Sequence, residues 1–190
     1  MLLDLGGVLA DLRDPVAAMG LDMPLEAFWK TWTSSATVRA FETGQMTEAD
    51  FLEQIPAELG YSGSAPFEEQ FHAWQLALFP GVGDLIRGAL PHYRIALLSN
   101  TNAIHWRQVN EGNDVFAAFE RVFLSYETGR FKPDESAFRQ VTDYFRCKPG
   151  AVVFLDDSEP NIAAALDFGM DARRVVGIAE LERQLLRVAD

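Results

Sequence analysis

The sequence predicts an α/β protein: a doubly wound, Rossmann-like parallel sheet interrupted by an all-helical insert. Three observations carry this. Two short apolar runs, residues 94–98 and 151–155, are nearly continuous and bounded by polar turn residues, the pattern of strands buried on both faces. From about residue 82 onward strand-like and helix-like segments alternate, which requires parallel strands joined by crossover helices. Residues 11–79, by contrast, show no strand pattern and three helical ones.

Taken in order, Leu2 and Leu3 form a short first strand ahead of Asp4. Such a strand normally has about 5 to 6 residues. This one is expected to be unusually short or clipped at its start, which would lower stability without touching chemistry. In the insert, Leu25, Phe28, Trp29 and Trp32 share one helical face, as do Phe67, Phe71, Trp74 and Leu78. Thr47 followed by Asp50 suits a helix start before Phe51 and Ile55. These aromatic stripes read as helix-to-helix core; Trp29, Trp32, Phe41 and His105 are the residues that could instead face a ligand. Weaker strands are expected at 121–124 and 174–178. Helices are expected at 134–145, where Phe138, Val141 and Phe145 recur at helical spacing, and at 161–168, stopped by Gly169. An all-helical insert between the first two strands would sit over the sheet's carboxyl edge as a lid.

The chain has 190 residues, 48% of them apolar, enough for one core domain with a small insert. Its 28 acidic and 16 basic residues give a net charge of −12, a surface field that repels nucleic acid and anionic lipid alike. Neither is expected as a partner. The one cysteine, Cys147, cannot form an internal disulfide, and no apolar run approaches a membrane span or a signal peptide. The cytoplasm is the expected compartment.

Polar chemistry is concentrated where strands run out. Asp4 leaves the first strand into Gly6-Gly7; Ser99 and Asn100 follow the 94–98 strand; Lys132 precedes Pro133 in a turn that Pro133 should help convert to a helix; Asp156 and Asp157 follow the 151–155 strand. Each motif has a plain structural reading as a turn, a helix cap or a solvated lysine. Their convergence does not. Two carboxylates about 4 Å apart at an effective dielectric near 20 repel by roughly 4 kcal/mol, and one lysine cannot offset three of them. A hard divalent cation can, and a few oxygen ligands with room for water favour Mg²⁺.

The order and spacing of these four clusters resemble the haloacid dehalogenase-like hydrolase superfamily across nearly the whole chain. The strings 98–105 and 154–158 look most like its sugar-phosphate phosphatases, including those acting on glucose 1-phosphate. The resemblance implies an α/β core of residues 1–11 and 80–190 and a helical cap of residues 12–79. It implies Asp4 as nucleophile, Ser99, Asn100 and Lys132 as phosphate holders, and Asp4, the Gly6 carbonyl, Asp156 and Asp157 around Mg²⁺. Asp157 would touch the metal directly and Asp156 partly through water. The substrate would be a small phosphorylated metabolite.

The chain departs from this pattern at Gly6, where most phosphatases of the family carry a second aspartate that protonates the leaving group. General acid help is typically worth about 10² to 10⁴ in rate, so slow turnover, or a leaving group that needs little protonation, is expected. Three other readings stay open. A phosphometabolite-binding protein would have lost activity with the acid. A haloacid dehalogenase is disfavoured by the paired acids Asp156 and Asp157. A phosphotransfer mutase ordinarily relies on the acid that Gly6 replaces.

Overall fold

The structure, a computed structural model, describes residues 1–187. Its strands are β1 (Leu2–Leu3), β2 (Ala10–Asp11), β3 (Ala77–Leu78), β4 (Ala96–Ser99), β5 (Arg121–Leu124), β6 (Val153–Asp156) and β7 (Asp171–Arg174). Five of them form one parallel sheet in the order β5-β4-β1-β6-β7. The helices are α1 (Pro15–Met19), α2 (Leu25–Ser34), α3 (Ala36–Glu42), α4 (Glu48–Glu58), α5 (Phe67–Ala73), α6 (Val82–Ala89), α7 (Ala103–Asn110), α8 (Ser125–Thr128), α9 (Glu135–Phe145), α10 (Glu159–Phe168) and α11 (Ile178–Arg187).

The sheet is buried on both faces, which is why its central strands read as continuous apolar runs. Leu3 pairs in register with Leu97 and Leu155, and all three enter one core layer with Ile86 of α6, Val109 of α7 and Leu181 of α11. Their neighbours Leu2, Ala96 and Phe154 point to the opposite face, against Phe138 and Val141 of α9 and Ala165 of α10. Burying a side chain such as Leu3 contributes about 1.5 to 3 kcal/mol. The central strand β1 has two residues, yet its ladder runs further: the Asp4 amide donates to the Leu155 carbonyl at 2.9 Å, and the Ala96 amide to the Met1 carbonyl at 3.0 Å.

The last strand lies three residues earlier than the apolar pattern of 174–178 suggests. β7 is the polar segment Asp-Ala-Arg-Arg, and Ile178 already opens α11. At a sheet edge charge is an advantage, because it discourages pairing with another chain. Arg173 pairs with Asp171 two residues away, on the same side of the strand. The apolar Val175 is buried just beyond the strand's end.

Helices α1 to α5 pack around their own apolar cluster of Phe28, Trp32, Phe41, Phe51, Phe71 and Trp74. Its rings are in direct contact, with Phe41 stacked on Phe51 at 4.1 Å between centroids. Local signals start several of these helices. Asp14 accepts from the Val16 and Ala17 amides, Ser35 from Val38, and Thr47 from Asp50. The expectation that residues 11–79 contain no strand is overturned at the ends of the segment. There β2 and β3 form a two-residue antiparallel ladder where the chain leaves the sheet region and returns. Leu78 accordingly lies in β3 and not on the helical face of Phe67 and Phe71, since α5 ends at Ala73. The indole of Trp74 closes the junction by donating to the Leu12 carbonyl at 2.7 Å.

Candidate active site

Asp4, Ser99 and Asp156 stand at the carboxyl ends of β1, β4 and β6, three strands adjacent in the sheet. Parallel strands aim their ends at one edge, so residues far apart in sequence converge there. Lys132 comes from the loop after α8 and is positioned by Asn100. Its amide donates to Asn100 Oδ1 at 2.9 Å, and Asn100 Nδ2 donates to its carbonyl at 2.8 Å. With the Asn100 side chain committed to Lys132, the phosphate contact expected of Asn100 falls to its main chain. The Lys132–Pro133 peptide is cis. Pro133 lies outside α9, which Asp134 precedes as N-cap, so the expected role of Pro133 at the helix start is corrected.

Lys132 is 2% exposed and its Nζ lies 2.5 Å from Asp4 Oδ1 and 2.6 Å from Asp156 Oδ2. Asp156, wholly buried, spends its other oxygen on the Ser158 amide at 2.8 Å, while Asn161 Nδ2 reaches both oxygens at 3.0 and 3.1 Å. Burial pulls the Lys132 ammonium down, but Asp156 and Asp4 together more than offset it and leave it above the ordinary lysine value. Burial pushes Asp4 up; Lys132 opposes this, the charges on Asp156 and Asp157 reinforce it, and the carboxyl rises to about 7. Asp157 rises to about 6 through burial and then the Asp156 charge. Lys132 alone therefore does not hold Asp4 in the usual carboxylate range. Ser99 is 3% exposed and its hydroxyl reaches only its neighbour's carbonyl, at 3.4 Å.

The two glycines after Asp4 do different things. Gly7 has φ +70°, and a β-carbon there would collide with the Asp157 carboxylate. Only glycine permits both the left-handed backbone and that close approach. Gly6 has no such backbone constraint, but the space its side chain would enter is taken by Leu12, whose Cδ2 lies 2.8 Å from the β-carbon position.

The residues present fit a divalent cation. Asp4, Asp156 and Asp157 each offer an oxygen, and these atoms lie within 4.8 Å of one another. Three carboxylates against one ammonium leave an uncompensated negative charge in a buried site, and the donors are all hard oxygens. The Gly6 carbonyl accepts no main-chain hydrogen bond among the described residues and adds a further oxygen beside Asp4.

Of the insert residues singled out in the sequence, Trp32 and Phe41 are buried in the helical cluster and Trp29 is half-buried against it. His105 is 4% exposed, and burial, followed by the charge of His72, lowers it to about 3, so it is neutral. Three contributors escape sequence reasoning. Asn161 had a signal, an amide five residues after Asp156 at a strand-to-helix turn, but it reads equally as a helix residue. Leu12 and Glu42 had none, because what they touch is set by chain from elsewhere.

A doubly wound sheet that gathers three carboxylates and one lysine at the carboxyl ends of its central strands defines an acid-centred α/β hydrolase. Residues 1–169 match the haloacid dehalogenase-like hydrolases, and the chain belongs to that family. It is similar to the D-ribitol-5-phosphate phosphatase of Bacteroides thetaiotaomicron, with 25% identity over 97% of this chain and 95% of the relative. A crystal structure of a HAD-family enzyme from the same organism, in complex with magnesium and inorganic phosphate, superposes with a TM-score of 0.73 at 28% identity, over 91% of each chain. The L-2-haloacid dehalogenase of Xanthobacter autotrophicus shares the fold, with a TM-score of 0.68 at 18% identity over 98% of this chain and 81% of that one. Among the described residues no helix is long and apolar enough to cross a membrane.

Proposed function

We propose that this chain is a Mg²⁺-dependent phosphoric monoester hydrolase of the cytoplasm that acts on a small phosphorylated metabolite, with sugar and polyol phosphates the favoured class. The observation that carries this is the meeting of Asp4, Asp156 and Asp157 around the single ammonium of Lys132. The chemical class of the substrate follows the B. thetaiotaomicron relative, whose name gives a polyol phosphate.

Asp4 attacks phosphorus in line, forming an O–P bond as the bond to the leaving alkoxide breaks. Water then cleaves the aspartyl-phosphate, releases inorganic phosphate and restores the carboxylate. Lys132, the Ser99 hydroxyl and main-chain amides of the Ser99–Asn100 turn hold the equatorial oxygens of the transferring group. Asp4, Asp157 and the Gly6 carbonyl would hold Mg²⁺, with Asp156 acting partly through water because Lys132, Ser158 and Asn161 occupy its oxygens. When bound, the ion supplies positive charge that ionises Asp4 and neutralises the phosphoryl group. Residues 12–79 act as a cap over the core of residues 1–11 and 80–190. Asp4, Ser99 and Lys132 are all under 8% exposed, so the cap must open to admit substrate.

One observation favours a second reading, a phosphometabolite-binding protein with little turnover: Leu12 occupies the space beside Gly6 where an acid would stand. Phosphate release from p-nitrophenyl phosphate, ribitol 5-phosphate and a panel of sugar phosphates, with and without Mg²⁺, separates the two. Metal-dependent release that Asp4→Asn abolishes supports the enzyme. No release from any substrate, with phosphate binding retained, supports the binder.

A further inference from the structure

The carboxyl end of α3 is where the helical insert meets the catalytic loops. Arg39 pairs with Asp134 and lies over the Phe131 ring at 4.9 Å. A β-carbon on Gly44 would collide with the Tyr126 carbonyl. Both contacts fall on the segment that delivers Lys132. Between them, Glu42 is 6% exposed and has no basic partner; the donors to its carboxyl are the side chains of Trp32, in the insert, and Asn102, in the core.

Asn102 is wholly buried and stands three residues after Ser99. Its Oδ1 accepts the His105 amide at 3.0 Å and caps α7, and its Nδ2 lies 3.1 Å from His105 Nδ1. The His105 ring in turn packs against Phe71 and Trp74 of the insert, at 5.0 and 4.5 Å between centroids. Every side-chain partner of Asn102 is therefore an insert residue or a ring held by one. A buried carboxyl with no cation is costly. Burial pushes Glu42 up to about 7. Packing alone would be served better by a methionine or leucine.

We propose that Glu42 is a positioning residue: by accepting from Asn102 it sets the Ser99-to-Asn102 loop in its phosphate-holding geometry only while the cap is docked. This rests on the phosphatase reading of that loop, but its structural half can be measured without turnover. Glu42→Met fills the same volume without an acceptor, and Glu42→Gln keeps one acceptor oxygen. Hydrogen–deuterium exchange over residues 99–105 is expected to rise about tenfold in Glu42→Met, the equivalent of one hydrogen bond, and to return towards wild type in Glu42→Gln. Exchange in α9 should not change.

With Mg²⁺ and p-nitrophenyl phosphate, KM should rise about as much as the exchange rate in Glu42→Met, with a smaller change in kcat, and recover in Glu42→Gln. Unchanged exchange at 99–105, or a rise spread equally over α9, overturns the proposal. Should Glu42→Met not fold, Glu42→Gln and Glu42→Ala are compared in the same way, and equal exchange in these two overturns it. A wild type without phosphatase activity defeats the phosphatase reading alone, since exchange still decides whether Glu42 orders the loop.

Discussion

The Nζ of Lys132 lies 2.5 Å from Oδ1 of Asp4, in a setting where each is almost wholly buried and 128 residues separate them in sequence. The pair, shared with Asp156, fixes both the reactivity of the site and a large part of its stability. Removing Lys132 leaves two buried carboxylates facing each other. Breaking a buried pair from one side costs about 3 to 5 kcal/mol. Lys132→Met should therefore lower unfolding stability by about that amount in metal-free buffer, with Mg²⁺ restoring part of it. Urea unfolding with and without Mg²⁺ checks this, and a loss under about 1 kcal/mol, the worth of an exposed pair, would refute it.

Stability of the metal-free protein should fall as pH rises above about 6.5. In the fold Asp4 is raised from 3.8 to about 7, Glu42 from 4.5 to about 7 and Asp157 from 3.8 to about 6. Each makes its full contribution below its unfolded value and loses it as pH climbs through the folded one. His105, lowered from 6.5 to about 3, acts in the opposite sense, so its contribution is lost as pH falls below 6.5. Above 6.5 only the carboxyls remain in play. Thermal melts in chelator from pH 6.5 to 8 should show a declining Tm, less steep in Asp4→Asn and in Glu42→Gln. A flat or rising Tm in the wild type would contradict the burial of these groups.

Gly7→Ala should weaken metal binding where Gly6→Ala does not. The methyl on Gly7 meets the Asp157 carboxylate and must adopt φ +70°, a conformation that costs a non-glycine residue about 1 to 2 kcal/mol. The methyl on Gly6 meets only the tip of Leu12, which can turn aside. Titration calorimetry with Mg²⁺ on both variants is the measurement, and equal affinities would show that Asp157 is not a ligand.

Restoring an acid beside Asp4 requires moving Leu12. The double variant Gly6→Asp, Leu12→Ala should raise kcat on ribitol 5-phosphate by at least about tenfold, within the range of general acid catalysis. On p-nitrophenyl phosphate, whose leaving group needs no proton, the gain should be small. Equal gains on both substrates would mean the new aspartate is not acting as an acid.

The strand ends were legible because the pattern is local: an apolar run, then a polar residue, at Leu3-Asp4, Leu98-Ser99 and Leu155-Asp156. That parallel strands bring such ends to one edge is a property of the fold class, so the grouping of these residues could be read before any coordinate. The displacement of β7 shows the limit of this. An edge strand is not required to be apolar, and the apolar signal came from Val175 and Val176 beyond it.

What composition and order determine here is the class of fold, the acid-rich catalytic edge and the need for a cation. They do not reveal that Asn100 is committed to the Lys132 backbone, that Leu12 fills the space beside Gly6, or that Glu42 lies buried against Asn102. Each of those depends on packing between segments 30 or more residues apart. Burial and charge environment are properties of the assembled neighbourhood, and a carboxyl's proton affinity follows them more closely than its place in the chain.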